Sequence, residues 1–511
     1  MKRRKFFRGR TFLFILMATL MLPSTGSSMS SPYWAGTDAF SQLITQEKAA
    51  ELHEYLLDVI NWPAWQLPFL VLDNNPDNQY GVIIDDASRT YDGYTMLSLF
   101  GATEMIDGKQ VNAILIDMQG NIVQTWSLNP VNSVGPVKLL PNGHVMGATP
   151  PVEHFGHITE QDWNGNLVWE DTDLMMHHDH QIYKNPVYYT PLQPALIKHN
   201  ELEKNKVLVL SQNFPDFAET GHISDFPLID DSFVEVDRNG NVLWTWNAWE
   251  HFEQFGFDEA AKQAIRTEKV PGAPAGGTDW THFNSASYLG PNKWYIKGDD
   301  RFHPDNIMFN SRSMNLFGII ARHDDRKGRW KSGDIIYQIG PDYSMGKPGN
   351  KLGQIIGAHM VHLIPVGLPG AGNILLYDNG GAAGFGELVP GSGIGTYPNR
   401  YSDVSRVLEF NPVTLEIVWE YTQIKPTADS NGDGVVEGNE RKFFSMYMSA
   451  AQRLPNGNTL ITEATTGRVF EVTRDKDVVW EYISPFTDAH PVLQNPNYRA
   501  YRVPDSWVPK R

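Results

Sequence analysis

Three short segments place histidine beside residues that handle anions and protons. They are His177-His178-Asp179-His180, Asp279-Trp280-Thr281-His282-Phe283-Asn284-Ser285 and Gly357-Ala358-His359-Met360-Val361-His362. In each, polar residues come first, and an apolar run and a turn follow. His282 and Asn284 are two apart, so on a strand they share a face. Arg312 stands in a fourth segment, Phe309-Asn310-Ser311-Arg312-Ser313. A neutral imidazole can attack, carry a proton or bind a metal near pH 7. Three imidazoles would suit zinc, but Arg312 and Asn284 suit an anion better than a cation. Taken singly, each histidine reads as a satisfied polar residue in a wet channel. Taken together at matched positions, they point to a site. His177, His180 and His362 are its weakest members, because one residue of each group should face away.

The elements that position these segments announce themselves by repetition. Hydrophobic-Asp-x-x-Gly-Asn-hydrophobic-hydrophobic-x-x-Trp spans Ile116 to Trp126. It returns at Gln161 to Trp169 and at Val236 to Trp244, with weaker copies at Gly333–Tyr337, Leu415–Trp419 and Lys476–Trp480. Each copy reads as strand, tight turn and strand with an aromatic. Six such hairpins predict an all-β fold, a six-bladed β-propeller, over residues 96–511. The hairpins place blade starts near Ile158, Asp231, Phe317 and Arg406. Inserts are expected at Asn185–Asn205 and, as a helix, at Asp258–Lys269. Residues 31–95 form a short N-terminal segment. Its apolar residues from Phe40 to Ile60 have helical spacing, and residues 63–95 look irregular.

Residues 1–30 read as a signal peptide. Lys2, Arg3, Arg4, Lys5, Arg8 and Arg10 precede the apolar run Thr11–Leu22, which is short for a bilayer. Arg3-Arg4-Lys5-Phe6-Phe7-Arg8 fits a twin-arginine signal as well as a Sec one. The chain is then exported, periplasmic or secreted, without stable membrane insertion. With six basic and no acidic residues, loss of this segment takes the formal charge from −17 to −23. Such an acidic protein is a poor nucleic-acid binder. The absence of cysteine excludes disulfides, thiol nucleophiles and thiolate metal sites.

The segments resemble the bacterial aryl-sulfate sulfotransferases, which are six-bladed propellers. The resemblance rests on His177-His178-Asp179, on Asp279 to Ser285, on Asn310-Ser311-Arg312, and on His359 followed by Asn373 to Gly380. Thr466 to Val472, Val479 to Tyr482 and Tyr498 to Arg502 extend it, so it covers roughly residues 110–505. It implies that His359 is transiently sulfated, with His178, His282, Asn284 and Arg312 holding the sulfuryl group. It implies an aryl sulfate donor, a phenolic acceptor and no nucleotide cofactor. A homodimer is compatible with it. Three features depart from the family: no disulfide can form, residues 31–95 are too short for the separate N-terminal β-sandwich, and Ala358 replaces the usual glutamine. They bear on dimer arrangement and acceptor choice more than on chemistry.

A separate motif runs from Asp429 to Glu440. Asp429, Asn431, Asp433, Val435 and Glu440 have the spacing of a calcium loop, with Gly434 at the sharp turn. No pair of amphipathic helices flanks it, so it would be a lone structural Ca²⁺ site. Competing classes are a non-catalytic binding propeller, an aryl sulfate hydrolase using water, and a quinone-dependent dehydrogenase. The last usually has more blades and a vicinal disulfide, which this chain cannot form.

Overall fold

The repeated hairpin has a local cause. Asp117 Oδ1 accepts the backbone N–H groups of Gln119 and Asn121 at 3.0 and 2.8 Å, and its Oδ2 accepts the Asn121 amide at 3.0 Å. Asp162 and Asp237 repeat this with Asn166 and Asn241. The glycines Gly120, Gly165 and Gly240 take φ of 80–82° at the same place in each turn. That conformation costs glycine little, and the aspartate side chain satisfies the turn's orphan donors.

The computed structural model describes residues 79–100, 105–106, 109–128, 135–152, 155–182, 206–267, 278–344, 346–385, 400–402, 404–423, 443–486 and 497–510. The leader, the expected helix before Pro63, the insert at Asn185–Asn205 and the calcium-type loop lie outside the described residues. The arrangement is an all-β propeller with few helices. In chain order the main strands are β1 Gly81–Asp85, β2 Tyr94–Leu99, β3 Ala113–Ile116, β4 Ile122–Trp126, β5 Lys138–Leu139, β6 Val145–Val152, β7 Phe155–Gln161 and β8 Leu167–Ile182. Then come β9 Val207–Asn213, β10 Leu228–Val236, β11 Val242–Asn247, β12 Phe283–Tyr288, β13 Ile307–Ser311, β14 Leu316–Ile320, β15 Ile335–Ile339 and β16 His359–Leu363. The last are β17 Ile374–Asp378, β18 Arg406–Phe410, β19 Ile417–Tyr421, β20 Ala450–Arg453, β21 Thr459–Glu463, β22 Arg468–Val472, β23 Val478–Ile483 and β24 Asn497–Val503.

Four blades are separate antiparallel sheets. Their strand orders are β24-β2-β3-β4, β12-β13-β14-β15, β16-β17-β18-β19 and β20-β21-β22-β23-β1. An eight-stranded sheet carries the path β5 to β11, with Thr278–Asp279 paired on β10. Its strand β8 pairs with β7 through Leu167–Asp171 and with β9 through His180–Ile182, with register breaks between. A helix at Glu259–Thr267 lies within the expected helical insert.

Two sequence expectations shift. The repeated hairpin joins third and fourth strands, not the first two, so sheets begin two strands earlier than the hairpins suggest. Phe317, for example, lies in β14, third in its sheet. The reason is closure. The chain's last strand, β24, supplies the first position of the sheet whose other strands are β2 to β4. At the other end β1 adds a fifth strand to β23. Residues 79–95, expected to be irregular, therefore contain strand.

Aromatic side chains on the hairpins tie each unit to the next. Trp126 donates to Asp162 O, Trp169 to Arg238 O, Trp246 to Gly333 O, Tyr337 to Pro412 O, Trp419 to Arg474 O and Trp480 to Met118 O, at 2.8–3.2 Å. In the third copy Trp246 makes this link, while Trp244 stacks on the Arg322 guanidinium at 4.2 Å. Buried ion pairs run beside these links: Arg238–Glu160, Arg322–Glu235, Arg453–Glu409 and Arg502–Glu471, at 2.6–3.5 Å. Each glutamate stands two residues before its turn. The matching positions Leu115 and Ile319 are apolar and fully buried. Removing one member of such a pair strands a buried charge, at a cost of about 3–5 kcal/mol.

Candidate active site

Strands β8, β12, β16, β20 and β24 pack successively against one another, and the candidate residues sit where several of them begin. The backbone there is unusual. His178 has φ 56°, His282 φ 44°, Met360 φ 52°, Met448 φ 59° and Ser449 φ 83°. These residues enter the left-handed region without being glycine, at about 1–3 kcal/mol each. Register breaks accompany them between Met176 and His180, between Phe283 and Ser285, and between His359 and His362. Bulges of this kind re-aim side chains at strand ends. Here they bring His178, His282 and His359 toward one region.

His359 is buried, and both ring nitrogens are engaged. Nδ1 lies 2.7 Å from Asn379 Oδ1 and 3.0 Å from Gly357 O. Both partners accept, so the ring carries its proton on Nδ1. Nε2 accepts the backbone N–H of Met448 at 3.1 Å. Asn379 in turn donates to Ser445 O and Met448 O at 2.8 and 3.0 Å. One amide thus fixes both the His359 tautomer and the segment that covers Nε2. Burial pushes the His359 pKa well below the usual histidine value, opposed by the Asn379 hydrogen bond and aided by Arg312, Arg499 and His282. The ring is neutral.

His282 is the most accessible of the three, its side chain 28% exposed, and its Nδ1 is 2.5 Å from Asp279 Oδ2. Burial alone would raise the Asp279 pKa. The His282 ring, helped by His177 and Arg312, holds it below its ordinary value. The His178 and His282 rings meet edge to face at 4.7 Å. His178 Nδ1 contacts His177 Nδ1 at 2.6 Å, and His177 Nε2 lies 3.1 Å from Asp231 Oδ1. Burial, then His282, His177, His359 and Arg499, drive the His178 pKa well below the usual range. His177 therefore backs His178 rather than facing away. His362 does turn elsewhere, with Nδ1 3.0 Å from Met360 O. The backbone of His180 accepts the Lys138 ammonium.

Arg312 follows β13, and its backbone N–H donates to His282 O at 3.0 Å. Its guanidinium makes no hydrogen bond or ion pair with any described residue. Burial lowers its pKa, against the pull of Tyr447 and Asp279, and a guanidinium stays charged at any working pH. Asn284 is fully buried. It donates to Ala358 O at 2.8 Å and accepts from Asn310 at 2.7 Å. Its amide thus ties β12 to the residue before His359, leaving one N–H without an assigned acceptor. Behind them Arg499, from β24, donates to Asn284 O at 2.8 Å and pairs with Asp179 at 3.1 Å. Lys138 meets the other Asp179 oxygen at 2.7 Å. Burial would raise this carboxyl, but the two cations hold it at about 2.

A neutral imidazole, a histidine–carboxylate pair and a guanidinium with no partner among the described residues are groups of the kind that can handle an anion and a proton together. His178, His282 and His359 do not bring their ligand nitrogens together in the manner of a metal centre. A family model described as Arylsulfotransferase (ASST) matches residues 86–484. The chain belongs to the arylsulfotransferase family. That membership supports aryl sulfotransferase activity in general terms, on small-molecule aryl sulfates and phenols. No curated protein matches the sequence. Among solved structures, a Bacteroides caccae protein of unknown function is similar at 10% identity and TM-score 0.39, over 80% of this chain and 98% of that one. A periplasmic gluconolactonase of Pseudomonas aeruginosa is similar at 12% and TM-score 0.33, over 80% and 99%.

Several residues at the site of this arylsulfotransferase-family chain escaped the sequence reading. Asp279, three before His282, was visible as an i, i+3 pair of acid and imidazole. Asn379 stood in a segment used for the resemblance, without a role. The Met448 N–H is a backbone group and leaves no trace in residue types. Asp231 organises the approach: its Oδ2 accepts from Thr281 Oγ1 and from Phe283 N, both at 2.6 Å.

Proposed function

We propose that the chain moves a sulfuryl group from a phenolic sulfate ester to a phenolic acceptor through a sulfo-His359 intermediate. His359 Nε2 attacks sulfur with its lone pair, and the sulfur–phenolate oxygen bond breaks. The leaving oxygen takes the proton from His282, whose other nitrogen rests on Asp279. The acceptor phenol then attacks sulfur and returns its proton to His282. The nitrogen–sulfur bond breaks, and its electron pair goes back to Nε2. The moving group is loosely bonded and carries its charge on three oxygens, as in phosphoryl transfer. Arg312 serves those oxygens with its fork, and the remaining Asn284 N–H and His178 with single contacts. The Met448 N–H, which occupies the Nε2 lone pair in the unloaded chain, must leave it as sulfur arrives.

The observation that carries this reading is the His359 tautomer. Asn379 and Gly357 keep the proton on Nδ1, so Nε2 carries the lone pair, met only by the Met448 N–H among the described residues, and the Arg312 guanidinium has no hydrogen-bond or ion-pair partner among them. The donor brings its own activated sulfate, so no nucleotide is required. We read the propeller as six-bladed, with the eight-stranded sheet as two blades joined through β8. The six aromatic links, which return from Trp480 to Met118, support this count. We also assign export to residues 1–30 and structural Ca²⁺ to Asp429–Glu440, on the sequence grounds given above.

The test is brief exposure to an aryl sulfate without acceptor, followed by intact-mass measurement and peptide mapping. A sulfuryl adduct on His359, discharged by added phenol, is expected. His359→Ala should neither form it nor turn over. An adduct on another residue overturns the assignment. Phenol release that no acceptor accelerates makes the chain a hydrolase. No adduct and no release leaves a binding propeller.

A further inference from the structure

Away from the histidine site, His303, Asp305 and His323 each bring a donor atom to within 4.8 Å of the other two. His303 and Asp305 lie in the connection from β12 to β13, and His323 follows β14. The His323 Nε2 is 3.0 Å from Asp305 Oδ2. The His303 and His323 rings stand 5.1 Å apart, nearly perpendicular at 80°. Tyr295 packs edge-on against His303 at 4.8 Å and holds that ring in place.

We propose that these three residues form a surface site for one divalent transition ion of the zinc type. Two imidazoles and a carboxylate are donors of the right softness for zinc, copper or nickel, and poor ones for calcium or magnesium. Three protein ligands leave a fourth position for water. Metal bonds of about 2.0–2.2 Å need donors about 3.3 Å apart in a tetrahedral site. The trio must close slightly, and His323, whose side chain is 57% exposed, is free to swing inward. Two nearby cations are occupied elsewhere: Arg329 pairs with Asp300 at 2.6 Å and Asp325 at 2.8 Å, and Lys327 approaches Asp300 at 3.6 Å.

A metal here would join two connections of one sheet. The chain has no cysteine with which to cross-link them covalently. Binding only to the folded form would stabilise it by mass action.

Untagged, chelator-treated protein should be titrated with zinc alone, following heat and melting temperature. One ion per chain and a rise of a few degrees in melting temperature are expected. Cobalt in place of zinc should give a visible spectrum of low coordination number. The His303→Ala, His323→Ala double variant should lose both signals while melting as wild type without metal. His323→Gln, which alters only an exposed ring, is the second test should the double variant not fold. Asp305→Asn keeps a hydrogen-bond acceptor but loses the charge, and should weaken binding tenfold or more. Absence of binding at sub-millimolar zinc, or binding undiminished in either histidine variant, would overturn the site.

Discussion

The hairpin turns and the inner strand starts make the same backbone demand and answer it differently. Both need residues in the left-handed region. The turns use Gly120, Gly165 and Gly240, which adopt it freely. The inner starts use His178, His282, Met360, Met448 and Ser449, which do not. Glycine there would relax the chain but remove the side chains that meet at the site. Strain is thus gathered where His178, His282 and the cover over His359 Nε2 must be held, while the three glycine turns are free of it; in the weaker hairpin copies Leu415 and Lys476 take φ of 60° and 75° without glycine's freedom. A network of buried bonds supports the strained end, including Asp231 to Phe283 N and Asn379 to Met448 O.

The contrast can be broken most severely at the inner end. Arg312→Lys keeps the charge but loses the fork. Turnover should fall by about 10²-fold or more, the range for removing an oxyanion donor, with the melting temperature unchanged. Near-native kinetics would rule out a bidentate role. Asp279→Asn should be milder, at about tenfold or somewhat more, because the proton carrier remains. The loss should shrink for donors whose phenolate leaves readily, because these need the proton least. A uniform loss across all donors would mark Asp279 as merely structural.

At the turns the expectation inverts. A Cβ on Gly240 would meet only Asp171 Oδ2, at 4.0 Å. Gly240→Ala should therefore cost only the conformational term, about 1–2 kcal/mol of stability, and leave kcat intact. An activity loss larger than the stability loss would show that turns and site are coupled. The smallest effect concerns the loop Asp429–Glu440. Removing calcium should lower the melting temperature slightly without touching kcat, and Asp429→Ala with Glu440→Ala should abolish that sensitivity. An identical melting curve with and without calcium, together with no calcium in elemental analysis, would leave a solvated acidic turn.

The turns were legible in the sequence because their physics is local. An aspartate that caps its own turn, a glycine three residues on and an aromatic at fixed spacing are all written within about a dozen residues. The strand groupings were not legible. Whether β14 is first or third in its sheet depends on β12, nearly thirty residues earlier, and ultimately on β24 at the far end of the chain. His178, His282, His359, Asn284 and Arg312 could be picked out because their types suit chemistry wherever they fall. What lies around them was hidden. Non-glycine residues in strained conformations carry no compositional mark, and His177 could be told from His362 only once Asp231 was in place beside it.

Closure by the last strand has a consequence for how the molecule is made. β24 pairs with β2 and carries Arg499 to Asn284 and Asp179. A chain emerging from the ribosome holds nearly every other strand before this one exists. Until it arrives, β2 presents an unpaired edge, and such edges invite pairing with other chains. Synthesis from the N-terminus therefore completes neither that sheet nor the backing of the histidines until β24 is made. A product truncated before β24 should be inactive and prone to aggregate, so the site is finished by the strand farthest along the chain from the residues it supports.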